Sequence, residues 1–287
     1  MYYSLKKRGN NVLRFVLINY KSHLKLSFAV TFLVLISILA IIAPFLPINE
    51  PTKTDMFNTN APPSHEHWFG TDENGMDIFS RTINAARYDL IIAITAVLIG
   101  STIGIILGAI AGYVGGLFEN IIERFAEMIQ GFPYILFGML IYMMIGGGIA
   151  ALIIVIMVYN LPFYAKLVRS EIKSLKNIPF VQAAICAGTK PYMIVFKHLI
   201  PNALPTIFGQ FPLSAASAIR FVAALSFLGL GIPPPTPEWG SMIQLGANSI
   251  IFGKWWISGF PGLTLFFVVW ALNSLGVSLQ AYIKKEN

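Results

Sequence analysis

The chain has 287 residues, of which 56% are hydrophobic and 11% charged, with a mean hydropathy of +0.69. Soluble domains carry charge on about a quarter of their residues, so this composition excludes a protein whose whole surface faces water. The net charge of +7 leaves nucleic acid to be weighed against basic loops, and the single Cys186 excludes an intramolecular disulfide framework and a cysteine-rich metal site.

A spanning helix needs about 20 mostly apolar residues. In chain order the sequence predicts spans at Leu26–Leu46, Leu90–Tyr113, Met128–Ile145, Ile149–Ala165, Leu204–Ile232 and Trp255–Ile283. The first is too long for a signal-peptide core and is read as a retained helix. The third and fourth are parted only by Gly146, Gly147 and Gly148, a tight turn, and the fifth is interrupted by Pro212 and Arg220. The expected fold is all-α, a polytopic helix bundle: a tail at 1–25, a membrane domain at 26–283, and a short tail at 284–287.

Orientation follows from the placement of Lys and Arg. The N-terminal tail carries Lys6, Lys7, Arg8, Arg14, Lys21 and Lys25, the loop at 166–204 carries Lys166, Arg169, Lys173, Lys176, Lys190 and Lys197, and the C-terminus adds Lys284 and Lys285. The opposite loops are poorer. The outer loop at 47–88 sets Lys53, Arg81 and Arg87 against Glu50, Asp55, Glu66, Asp72, Glu73 and Asp77, and Gly231–Gly253, most of the Pro- and Trp-rich outer loop read at 232–256, holds no base. Both termini are therefore expected in the cytoplasm, and the basic excess is topological, with no nucleic acid expected.

Glycines at 100, 104, 108, 112 and 116 recur every fourth residue, a stripe that lets helices approach closely, within the chain or against a partner. The long inner loop reads as a short apolar helix over Phe180–Ala187, a turn at Gly188 and a second helix after Pro191. An apolar helix on the cytoplasmic side wants a groove on a partner or a bed of lipid headgroups. Trp239, Trp255 and Trp256 suit the headgroup layer. Arg220 costs about 2.5–3.5 kcal/mol inside a span, so it lines a watery path or pairs structurally. Glu127 is expected to snorkel or cap at the interface. His65 and His67 lack further ligands at regular spacing, Asp72, Asn74 and Asp77 lack the closing Glu of a calcium loop, and the glycine-rich stretches lack the GK[ST] of a phosphate loop. No catalytic constellation, metal site or ATP site is read in this chain.

Val181-Gln182-Ala183-Ala184, then Gly188, then His198-Leu199-Ile200-Pro201-Asn202 resemble the EAA…G…LP loop of ATP-binding-cassette importer permeases. Gly70-Thr71-Asp72 with Asp77, Ser80 and Arg81 resembles the GTDxxGRDxxSR signature of the dipeptide, oligopeptide and nickel branch. Ala111–Gly116, Leu225–Gly231 and Pro234–Gly240 continue its second, C-type permease. The resemblance covers roughly residues 26–282. It implies a type I importer fold in a bacterial cytoplasmic membrane, with Gln182, Ala183, Ala184, Gly188 and Pro201 in a helix that couples to the ATPase. It also implies a homologous B-type permease, two cytoplasmic ATP-binding subunits that use ATP and Mg, and an extracytoplasmic solute-binding protein. Gln182 and Met76 depart from the family's Glu and Arg. The rival classes are a secondary transporter, for which no internal repeat is found, and a membrane scaffold.

Overall fold

The structure is a computed structural model that describes residues 25–46 and 48–286. Residues 1–24 of the tail expected at 1–25, with five of its bases, Pro47, and the side chains of Lys284 and Lys285 lie outside the described residues. The chain folds into helices α1 (Lys25–Phe45), α2 (Ile78–Val114), α3 (Gly116–Gly131), α4 (Tyr134–Ile145), α5 (Gly148–Lys176), α6 (Pro179–Cys186), α7 (Pro191–Phe227), α8 (Trp239–Ala247) and α9 (Trp256–Glu286). Among the described residues, α1, α2, α5, α7 and α9 are each long and apolar enough to cross a membrane.

The expected third span, Met128–Ile145, falls on two helices, α3 and α4, which together are long and apolar enough for a sixth crossing but are bent by 95° at their junction. Pro133 explains the break: it offers no N–H and pushes Phe132 into an extended conformation, with ψ at 142°. α3 is amphipathic and leans on α5, and α4 is short.

Hydropathy also misplaces three helix ends. α2 starts at Ile78, about three turns before Leu90, because Asp77 caps it: its Oδ2 accepts the Ser80 amide at 2.7 Å. The outer loop therefore ends at 77, not 88. α5 runs on to Lys176 because its charged end is paired. Arg169 and Lys173 bond Glu119, Arg169 reaches Glu123 at 2.7 Å, and Lys166 donates to Gln130 at 2.9 Å, all on α3. α7 begins at Pro191, so the inner loop shrinks from 166–204 to 177–190.

The interior is built on α2 against α5, the broadest helix–helix contact among the described residues. Glycines of α2 meet backbone carbonyls of α5 at matching four-residue steps. A Cβ on Gly100 would lie 2.8 Å from Met157 O, one on Gly104 2.6 Å from Leu161 O, and one on Gly112 2.8 Å from Arg169 O, with Gly108 against Ala165 between them. The stripe thus closes an intrachain seam. Gly116 has open space around it and lies beyond the end of α2. α9 packs on α7 and α8, and α1 leans on α9 through Phe28–Trp270 and Phe32–Phe267.

Candidate functional site

The inner loop is short and rigidly held. Ile178, extended at ψ 143°, precedes Pro179 at the first turn of α6, where a missing N–H costs nothing. Gly188, at φ +76°, ends the helix. Its amide bonds Ile185 O at 2.9 Å and Thr189's bonds Ala184 O at 3.1 Å, which satisfies the last carbonyls and requires the left-handed conformation at 188. Val181 is fully buried and pins α6 to the body, while Gln182 and Ala183 are exposed, Ala184 is half-buried, and Gly188 has nothing within 4 Å of an added Cβ. Gln182 donates from Nε2 to Lys176 O at 2.9 Å and so caps α5, a bond that a Glu carboxylate could not make. Phe180, Ile185, Tyr192, Met193 and Phe196 are all exposed around it, an apolar surface shared by α6 and the start of α7. Pro201 follows a π-helical turn at Ile194–Leu199. Its ring cannot tolerate a normal i−4 carbonyl, and the wider turn accommodates it.

The outer motif is a buried knot. Asp72 Oδ1 accepts the Asn74 and Met76 amides, both at 2.9 Å, and Thr71 bridges to Asp77 across the turn and bonds Asn58 O. Arg81 lies 3.6 Å from Asp72 Oδ2 and donates to Pro51 O at 2.9 Å and Pro235 O at 3.1 Å, so one guanidinium ties both outer loops to α2. Met76 Sδ lies against the same Arg81 nitrogen, where an Arg at 76 would bring two cations together. A Cβ on Gly70 would strike Ala61 O and Trp256. His67 Nδ1 pairs with Asp77 Oδ1 at 2.9 Å. In the same loop Asp55, bonded by the Asn58 side chain and the Phe57 amide, is held below the usual carboxylate range.

Trp239 corrects an expectation. It is fully buried in protein, so its ring does not meet lipid headgroups; its Nε1 donates to Thr82 O at 3.0 Å and its amide to Asp89 at 3.1 Å. Glu238 beside it caps α8 through Gly240 and Ser241, both at 2.8 Å. Trp255 is exposed and Trp256 half-buried. Glu127 pairs with Arg124 at 2.9 Å on an exposed face.

Arg220 opens onto a cleft of about 470 Å³ between α4, α5, α7 and α9, and its Nη2 donates to Ser217 Oγ at 2.9 Å. Tyr159, Asn160, Gln210 and Asn273 also face this space. Sequence reasoning found Arg220 and missed these neighbours, although uncharged amides inside otherwise apolar spans are the signal that would have found them. The α3–α5 ion pairs were missed too. Glu119 and Glu123, one turn apart, face bases 46 to 54 residues away, and nothing local announces the match.

The site residues thus fall into three places: Gln182, Ala183, Ala184 and Gly188 on α6 and its turn with Pro201 on α7, Arg220 in the cleft, and Gly70, Thr71, Asp72, Asp77 and Arg81 in the outer knot.

Residues 104–286 match the family described as binding-protein-dependent transport system inner membrane component. The chain is similar to the dipeptide transport system permease protein DppC of Bacillus subtilis, with 38% identity over 257 residues, 89% of this chain and 80% of that protein. It is also similar to the glutathione transport system permease protein GsiD of Escherichia coli O157:H7 and of Shigella sonnei, at 36% identity over 253 residues, 88% of this chain and 83% of theirs.

Proposed function

The chain belongs to the family of binding-protein-dependent inner membrane components, the permease subunits of ATP-binding-cassette importers, and from that premise we propose that it is the C-type permease of an importer for short peptides. It is a transport component. A homologous B-type permease completes the pore, two cytoplasmic ATPases burn ATP with Mg, and an extracytoplasmic binding protein delivers the solute. The Lys and Arg of the inner loop and tails support the reading that both termini lie in the cytoplasm of a bacterial cell. The peptide reading rests on the relatives, which carry dipeptides and glutathione by name.

The observation that carries the mechanism is α6: a helix pinned by buried Val181, with Ile185, Tyr192, Met193 and Phe196 exposed around it among the described residues. Such a surface fits a groove on the ATPase. ATPase closure shifts this chain between inward- and outward-open states, and it can do so only by contacting α6 differently in the two. The lever is direct: α6 touches α5 and the start of α7, two of the long spanning helices. The cleft at Arg220 is this chain's share of the route.

The test is uptake by the assembled importer in proteoliposomes. Ala184→Arg and Gly188→Arg are expected to abolish uptake and substrate-stimulated ATP hydrolysis, with the chain still inserted. Unchanged coupling in both variants would overturn the reading.

A further inference from the structure

The cleft at Arg220 holds one charged side chain and is otherwise lined by neutral groups. A guanidinium in a span is costly unless it meets an opposite charge or water. Among the described residues no ion pair to Arg220 forms; its hydrogen bond is to Ser217 Oγ, and the side chain is exposed. Guanidinium carries five donors in a planar fork that matches a carboxylate. Around it, Asn160, Gln210, Ser214 and Asn273 supply uncharged polar atoms, and Tyr159 and Phe163 supply ring faces. Some of these atoms are already engaged: Gln210 Oε1 accepts from Gln280 at 2.8 Å and Ser214 Oγ from Tyr164 at 3.1 Å. The charge of the cleft is therefore set by Arg220 alone.

We infer that Arg220 makes this cleft a carboxylate-accepting station, so that the route favours solutes with a free carboxylate and disfavours cations. The inference rests on the permease reading and deepens it: a dipeptide and glutathione both carry free carboxylates at neutral pH. Neutral neighbours leave the attraction to a single cation, strong enough to select charge and weak enough to release the solute.

The experiment uses the full importer in right-side-out vesicles, with Ser217→Cys in this chain as the reporter. Two impermeant methanethiosulfonates are compared, one bearing a sulfonate and one a quaternary ammonium, and modification is read on this chain by mass. The anionic reagent is expected to react faster by about ten-fold or more, from one unit charge a few ångströms away. Arg220→Gln is expected to collapse that preference and Arg220→Lys to keep it. Equal rates beside native Arg220, or a preference that survives Arg220→Gln, would overturn the inference, the first meaning that a carboxylate on the partner permease neutralises Arg220. Protection from both reagents in every state would overturn it as well, by showing a cleft off the water path. ATP-driven uptake measured in parallel on the parent importer tests the permease reading separately, since the charge preference does not depend on it.

Discussion

Arg81 is 3% exposed; it pairs with the Asp72 carboxylate at 3.6 Å and donates to the carbonyls of Pro51 and Pro235. Those partners come from two loops more than 150 residues apart in the chain. Arg81→Leu would keep the volume and leave the Asp72 charge buried with two carbonyls unpaired. Removing one partner from a buried pair costs about 3–5 kcal/mol. The expected outcome is an outer face that opens, read as faster proteolysis near 48–77 and as loss of folded chain on thermal extraction. Arg81→Lys should recover part of the loss, because an ammonium keeps the charge without the fork. The knot was half legible beforehand: the Gly-Thr-Asp and Ser-Arg residues stand out as a motif, but Pro235 as the third partner does not, since nothing in local sequence points across the molecule. His67 likewise reads as a metal ligand or a structural residue until its distance from Asp77 is known.

Helix by helix, what sequence pattern reveals is where the apolar runs lie, and what it hides is which charges are paired. α1, α2, α5, α7 and α9 stand at or around the predicted spans. Their ends do not, because window hydropathy stops at Arg87 and Asp89 in α2 and at Lys166 and Arg169 in α5. In the fold Asp89 is buried against Trp239, and Arg169 sits between Glu119 and Glu123, so the helices run on. α3 and α4 merge in hydropathy and are split by the stereochemistry of Pro133. The glycine stripe was legible as a close-packing face, and its partner was not. That partner is α5, and the seam makes an element-scale prediction. Gly108→Val puts side chain where Ala165 backbone already lies, so α2 and α5 must part. Overpacking of this kind costs about 1–3 kcal/mol or more, and the expected result is a sharp fall in the yield of monodisperse chain after extraction. Gly131→Ala, with open space and no positive φ, is the matched control and should leave the yield unchanged.

At the scale of the whole molecule, the spans form a bundle around the glycine seam of α2 and α5, an outer knot closes one end, and a helix pinned by Val181 stands at the other with apolar side chains exposed. The function proposed above accounts for that asymmetry: in it the α6 end presents a surface to the ATPases, and the opposite end holds its loops in place. The central claim is that α6 is covered by ATP-binding subunits, and the chain carries its own probe. Cys186, its single cysteine, is exposed at the end of α6. The direct measurement is the rate at which a maleimide modifies Cys186 in inside-out membranes carrying the importer, before and after the ATPase subunits are stripped away. The account predicts slow modification with the ATPases docked and a rise of about ten-fold or more on stripping, as a covered interface excludes solvent and reagent. Equal rates in the two preparations, with the ATPases shown to be bound in the first, would contradict it.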